Sequence, residues 1–168
     1  MVWFVITVFA LAGMIKGTIG LGLPAVSMGL LTMVISPFQA ATLLIIPSMV
    51  TNIWQLFAEG RVLQLIRRFG LLLIGIIVGS IWSVFPTLGH SDFNSEALLG
   101  GMLALYGVYG LFAKSMPNLS KYENWLSPIM GYLGGALTVA TGVVVIPVVP
   151  YLQTLSLQRD DLVQSLGL

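Results

Sequence analysis

The chain contains no cysteine, which excludes thiolate catalysis, disulfides and cysteine-bound metals. Charge is nearly as scarce. Only 8% of its 168 residues are Asp, Glu, Lys or Arg, against roughly 25% in soluble domains. That is too little to cover a globular surface in water. The single histidine, His90, lies in the polar stretch "TLGHSDFNSE" and reads as a loop residue rather than a metal ligand. No basic run exists, and a formal net charge of +1 gives no footing for nucleic acid. No HExxH-type motif, Ser–His pair, carboxylate dyad or P-loop is present, so the sequence points to no enzyme, no cofactor and no nucleotide-driven pump of its own. The apolar blocks hold no acidic residue, so a coupling proton or sodium site cannot be read from them.

What is plentiful is apolar sequence, 57% of the residues, with a mean hydropathy of +0.99. The chain therefore reads as an all-α integral membrane protein, a polytopic helical bundle in contact with the lipid bilayer. A crossing helix takes about 20 apolar residues. Five apolar blocks stand out, at 1–35, 38–58, 69–88, 97–113 and 125–152, and a sixth opens at "LQRDDLVQSLGL". A cleaved signal peptide does not fit the first block. No positive residue precedes it, and no small-x-small cleavage site closes it.

Lys and Arg near the membrane ends set orientation. The connection 59–68 holds Arg61, Arg67 and Arg68, and 114–124 holds Lys114 and Lys121. The connection 89–96 holds only Asp92 and Glu96. Residues 59–68 and 114–124 are thus expected in the cytoplasm of a bacterial-type cell membrane, and 89–96 outside.

The first and fifth blocks are too long for one crossing. Thirty-five helical residues would run about 50 Å, past a hydrocarbon core of about 30 Å. Each block carries an interruption, "KGTIGLGLP" in the first and "GGALTVATGVVVIP" in the fifth. These predict broken or re-entrant helices, with breaks near 17–22 and 136–142 that meet close to mid-membrane. The two blocks also resemble each other. Gly13 and Gly17 match Gly131 and Gly135 at an offset of 118, while Gly22 and Ser36 match Gly142 and Ser156 at 120. An internal duplication follows as an expectation, with a first unit at 1–120 and the start of a second, cut short, at 121–168. An intact protein would then run to about 240 residues. Four crossings per unit would make the copies parallel, and three with re-entrant breaks would invert them. The cytoplasmic placement of Arg159 favours inversion.

Lys16 sits between the glycines of "GMIKG". A lysine at a helix centre costs roughly 2.5–3.5 kcal/mol on insertion scales and usually faces a cavity or partner. The competing reading is that its stem snorkels to an interface. A broken helix also leaves backbone N–H groups unsatisfied, and these attract anions. Lys16, Gly17, Thr18, Gly20 and Gly22 are therefore candidate substrate-binding residues, with Thr138, Thr141 and Gly142 in the second interruption. In "PSMVTNIWQ", Ser48, Thr51, Asn52 and Gln55 recur on one helical face, and Asn52 and Gln55 could donate to an oxyanion. Interhelical hydrogen-bonding glue is the plainer alternative for that face. Small residues at helix–helix packing are the plainer alternative for the glycines. That reading suits "GIIVG" at 75–79 and "GGMLALYGVYG" at 100–110, but leaves Lys16 unexplained.

The segments "AGMIKGTIGLGLP", "SPFQAATLLIIPSMVTNIWQ" and "GYLGGALTVATGVVVIPVVPYLQ" resemble the sulfite exporter TauE/SafE family of membrane transporters over essentially the whole chain. The resemblance implies seven or eight membrane segments from a duplication, and a substrate such as sulfite, a sulfonate or a related small organic anion. Leu137, Thr138 and Val139 replace some of the glycines usual in the second copy. The leading expectation is a small-anion permease, with a homo-oligomer compatible with it. The alternative is a non-transporting membrane scaffold or assembly subunit.

Because the chain lacks cysteine, single cysteines report topology cleanly. An impermeant thiol reagent added to intact cells should label a cysteine in 89–96 and spare those in 59–68 and 114–124. The reverse pattern would overturn the orientation.

Overall fold

The computed structural model describes residues 2–20, 22–58, 60–88, 94–112, 118–143 and 145–168. His90, Asp92 and Lys114 lie outside them. The regular elements are helices: α1 Val2–Ile19, α2 Leu23–Leu31, α3 Pro37–Phe57, α4 Val62–Ile81, α5 Ser95–Phe112, α6 Glu123–Thr141, α7 Val145–Gln153 and α8 Arg159–Ser165. A 3₁₀ turn at Ser120–Tyr122 leads into α6. There is no strand among the described residues.

Both long blocks are broken, and the local causes are visible. Helix α1 ends where Gly20 and Gly22 take φ of +83° and +104°, a region costly for residues with a Cβ. Pro24, just inside α2, fits a helix start because its missing N–H needs no partner there. Helix α6 ends at Gly142, φ +75°. Ile146 is then held in extended geometry, as expected for a residue preceding proline. At the short "SP" connection, Ser36 and Gln39 form a reciprocal capping box that starts α3.

Contacts fix the helix directions. Lys16 meets Thr51 and Asn52, and Gly20 meets Gln55, so α1 runs parallel to α3. Only α3 and α4, among the described helices, have both the length and the hydropathy to cross a membrane. They are joined by residues 58–61 alone, so as crossing helices they run in opposite directions. Helix α4 is parallel to α6, with Arg68 bound to Glu123, Gly75 against Gly131, and Ile76 against Gly135. Helix α6 therefore runs opposite to α1. Helix α8 lies antiparallel to α3, with Asp161 bound to Arg61, Gln164 to Leu56, and Gly167 beside Asn52. The bidentate Arg68–Glu123 pair, with bonds of 2.8 and 2.9 Å, also puts residues 61–68 and 120–124 at one end of the bundle.

One expectation needs correction. The breaks do not meet at mid-membrane. Gly20 lies level with the last turn of α3, through Gln55, whereas Gly142 packs on Ala41 near the start of α3. Some fourteen helical residues separate those levels, about 21 Å. The reason is that α1 and α6, of 18 and 19 residues, run nearly the full hydrocarbon thickness before they break. The return is made by α2 and α7, of nine residues each, together with their following turns. Leu119 N–H bonds Thr154 O at 3.1 Å, which brings together the residues flanking the fifth block.

Helix ends in the two long blocks coincide at a spacing that is neither 118 nor 120. The ends of α1 and α6, the starts and ends of α2 and α7, and the starts of α3 and α8 all differ by 122. At that offset Trp3 matches Trp125, Gly13 matches Gly135, Gly20 matches Gly142 and Thr32 matches Thr154. Contacts exchange accordingly. Gly20 approaches Val163 and Gly142 approaches Ala41, and 163 is 41 plus 122.

The α4–α6 seam is the tightest packing in the structure. A Cβ on Gly131 would fall well under 3.0 Å from Leu72 O, and one on Gly135 equally close to Ile76 O. A Cβ on Gly79 would collide in the same way with Tyr132 O. Backbones in such contact admit only glycine, the small-xxx-small packing read in "GIIVG". The same reading of 100–110 fails, since a Cβ added at Gly100, Gly101, Gly107 or Gly110 would meet nothing within 4 Å. The outer faces of α3 and α4 expose Ile45, Ile46, Met49, Ile53, Ile74, Ile77 and Ile81, an apolar surface suited to lipid.

Gly131→Val should weaken the fold by about 1–3 kcal/mol, the usual cost of overpacking. Gly101→Val, at an open position, should change stability little. Loss of helicity on SDS titration of detergent-solubilised protein measures both, and equal effects would contradict the seam.

Candidate functional site

The site is assembled where the last turns of α1 and α3 meet the start of α8. Lys16, one turn before the first break, is only 9% exposed. Its Nζ donates to Thr51 Oγ1 at 3.0 Å and to Asn52 Oδ1. The ammonium therefore turns toward α3 and does not snorkel. No carboxylate pairs with it among the described residues, where the ion pairs are Arg61–Asp161 and Arg68–Glu123. Thr51 in turn donates to Pro47 O at 2.8 Å. Proline leaves a gap in the α3 ladder, and the threonine hydroxyl links that region to Lys16.

Gln55, 7% exposed, holds the break in place. Its Nε2 donates to Gly20 O at 2.8 Å and to Val163 O. Gly20 follows the end of α1, where carbonyls lose their intrahelical partners. Both amide hydrogens are spent on carbonyls, which corrects the expectation that Gln55 donates to an oxyanion. A Cβ on Gly20 would lie 2.8 Å from Val163 Cγ2, so the break and α8 touch directly. Gln164 completes the clasp by donating to Leu56 O at 2.6 Å.

A cavity of about 590 Å³ opens beside these groups. Gly13, Lys16, Gly17, Thr18 and Gly20 form one wall, Thr51, Trp54 and Gln55 a second, and Arg159, Asp160 and Val163 a third. Gly13 and Gly17 have no atom within 4 Å of where a Cβ would lie, so the glycines of "GMIKG" open the cavity rather than pack a helix. Thr18 returns its hydroxyl to Ile15 O at 2.9 Å and offers its carbonyl to Arg159 Nη2 at 3.5 Å.

The structure thus brings Lys16, Gly17, Thr18, Gly20 and Gln55 to one cavity, with Asn52 bound directly to Lys16. It does not bring Gly22, Thr138, Thr141 or Gly142 there. Gly22 faces Ile15, and Gly142 faces Met28 and Ala41. Thr138 and Thr141 donate to Gly134 O and Leu137 O, at 2.6 and 2.7 Å. They sit at the far end because α6 runs opposite to α1. Sequence reasoning alone does not reach Trp54, Arg159 and Asp160. Trp54 lies one turn beyond Thr51 and could be found by helical spacing, whereas α8 arrives only through the tertiary fold.

Broken helices, a buried cation without a carboxylate partner among the described residues, and two helices long and apolar enough to cross a membrane are compatible with a membrane transporter. A family description, sulfite exporter TauE/SafE, matches residues 5–166, and the chain belongs to that family of membrane transporters. No curated protein and no solved structure matches the chain.

The Lys16–Asn52 bond can be isolated with Lys16→Met, Asn52→Leu and the double variant. Interhelical hydrogen bonds in membranes average about 0.6 kcal/mol and reach about 1.7. A charged donor should place this pair near the upper end, read as the coupling energy from SDS unfolding. Strict additivity would mean that the two side chains do not interact.

Proposed function

We propose that the protein is a secondary transporter of a small anion, such as sulfite, a sulfonate or a related organic anion, and that the cavity beside Lys16 is its binding site. The observation that carries this reading is Lys16 itself: an ammonium buried among apolar helices, held by neutral acceptors, beside a cavity of about 590 Å³. Neutral partners orient the charge without cancelling it. The volume falls in the range of small-molecule sites, about 300–1,000 Å³. A scaffold would account for the α4–α6 glycine seam. It gives no reason for a buried ammonium held only by neutral acceptors.

We further propose that residues 1–120 and 121–168 belong to two inverted units and that each long block is a re-entrant hairpin. The offset of 122, the opposed α1 and α6, and the exchanged contacts of the two breaks support this. Such pairs place substrate sites at broken helices. Orientation by Lys and Arg puts Arg61, Arg68 and the mouth of the cavity on the cytoplasmic side.

The test is anion flux through proteoliposomes, comparing sulfite, methanesulfonate and acetate. Lys16→Met, which keeps bulk and removes charge, should lower the apparent affinity about tenfold, the equivalent of 1.4 kcal/mol. Lys16→Arg should retain part of the activity, because charge persists while geometry changes. Parental flux in Lys16→Met would remove the site.

A further inference from the structure

Arg159 is the second cation lining the cavity, carried by α8 and reaching the end of α1. Its guanidinium has one protein partner among the described residues, the Thr18 carbonyl at 3.5 Å, a long contact that leaves most of its five donors free. The neighbouring Asp161 is not available to neutralise it, since its carboxylate is bound to Arg61 at 2.8 Å. Asp160 also lines the cavity and is the one carboxylate there among the described residues. Among the described residues, the charged groups lining the cavity are therefore Lys16 and Arg159 against Asp160.

We infer that Arg159 is a specificity-determining residue that works with Lys16 to favour doubly charged oxyanions over singly charged ones of the same size, and that Asp160 limits that preference. The inference rests on the reading of the cavity as an anion site. Lys16 is fixed by α3 at the inner wall, so it treats any anion in the cavity alike in geometry. Arg159 enters from α8, a separate element held to α3 by Gln55 and Gln164 and to the start of α4 by the Arg61–Asp161 pair. Two cations lining one cavity attract a dianion about twice as strongly as a monoanion, while the neutral contacts stay the same. A planar guanidinium also suits two oxygens of one ligand.

Sulfate and methanesulfonate are matched probes, since they share a tetrahedral sulfur and differ by one charge. Trp54 on the cavity wall gives the readout, as a fluorescence change in detergent-solubilised protein that Trp54→Phe abolishes. In the parent, sulfate should bind more tightly than methanesulfonate. Arg159→Gln should cut the sulfate-to-methanesulfonate affinity ratio about fivefold, the scale of one charge across a partly solvated site. Asp160→Asn should raise the ratio by a similar factor, and Arg159→Lys should keep most of it. An unchanged ratio in both Arg159→Gln and Asp160→Asn overturns the inference. Equal losses for both anions in Arg159→Gln overturn it too, since they mark a structural role. Binding of neither probe by a folded parent refutes the anion site itself, a result distinct from an unselective one.

Discussion

A lysine ammonium that finds only neutral acceptors sets the level of everything around it. Lys16 joins Thr51 and Asn52, and that pairing fixes how far α1 advances along α3 before the chain must turn. The turn then falls at Gly20, whose carbonyl is met by Gln55. Lipid supplies no hydrogen bonds, so irregular backbone is tolerated only where protein or a polar cavity satisfies it. Gln55 meets that demand and passes it on, because its second hydrogen binds Val163 O and so seats α8. One buried charge and one buried amide thus tie together α1, α3 and a helix more than 100 residues away.

The same glycine spacing serves two opposite ends. Gly75 meets Gly131, Gly79 meets Tyr132, and Gly135 meets Ile76, all where no Cβ fits, and α4 and α6 lock side by side. Gly13 and Gly17 have the spacing and meet nothing. What separates the cases is the residue between them. Between Gly131 and Gly135 stand Tyr132, Leu133 and Gly134; between Gly13 and Gly17 stands Lys16. A seam that excluded all space would leave the ammonium nowhere to go. The open glycines leave a cavity beside it instead.

Much of this is legible in the sequence, and the failures have physical causes. Composition defines the membrane class, and the glycine interruptions locate both breaks within a few residues. Glycine marks where a helix can end, but says nothing of which partner fixes its depth, so a mid-membrane meeting of the breaks does not follow from it. Repeats aligned by glycine alone give 118 and 120, because Gly17 and Gly22 are not matched in the folded chain by the glycines nearest in sequence. Helix ends give 122. The helical face of Thr51, Asn52 and Gln55 is readable, while the roles within it are not, since one side chain orients Lys16 and another binds carbonyls. Arg159 becomes visible as a site residue only once α8 is packed against α3.

The offset of 122 sharpens the asymmetry between the two blocks. The residue in the place of Lys16 is Thr138, whose hydroxyl is spent on the Gly134 carbonyl at 2.6 Å. Gly20 and Gly142 both take positive φ, yet among the described residues only the first lies beside the cavity that a charged side chain lines. Gly142 is closed over by Met28 and Ala41. If the breaks are inverted equivalents, duplication preserved the backbone turn and not the chemistry. A cation at both breaks would place anion wells at both ends of the bundle, and an anion released from one would be held again at the other. Among the described residues, the charge lies at the Lys16 break and the opposite break is left to packing, so the proposed anion site is polarised toward one end of the bundle.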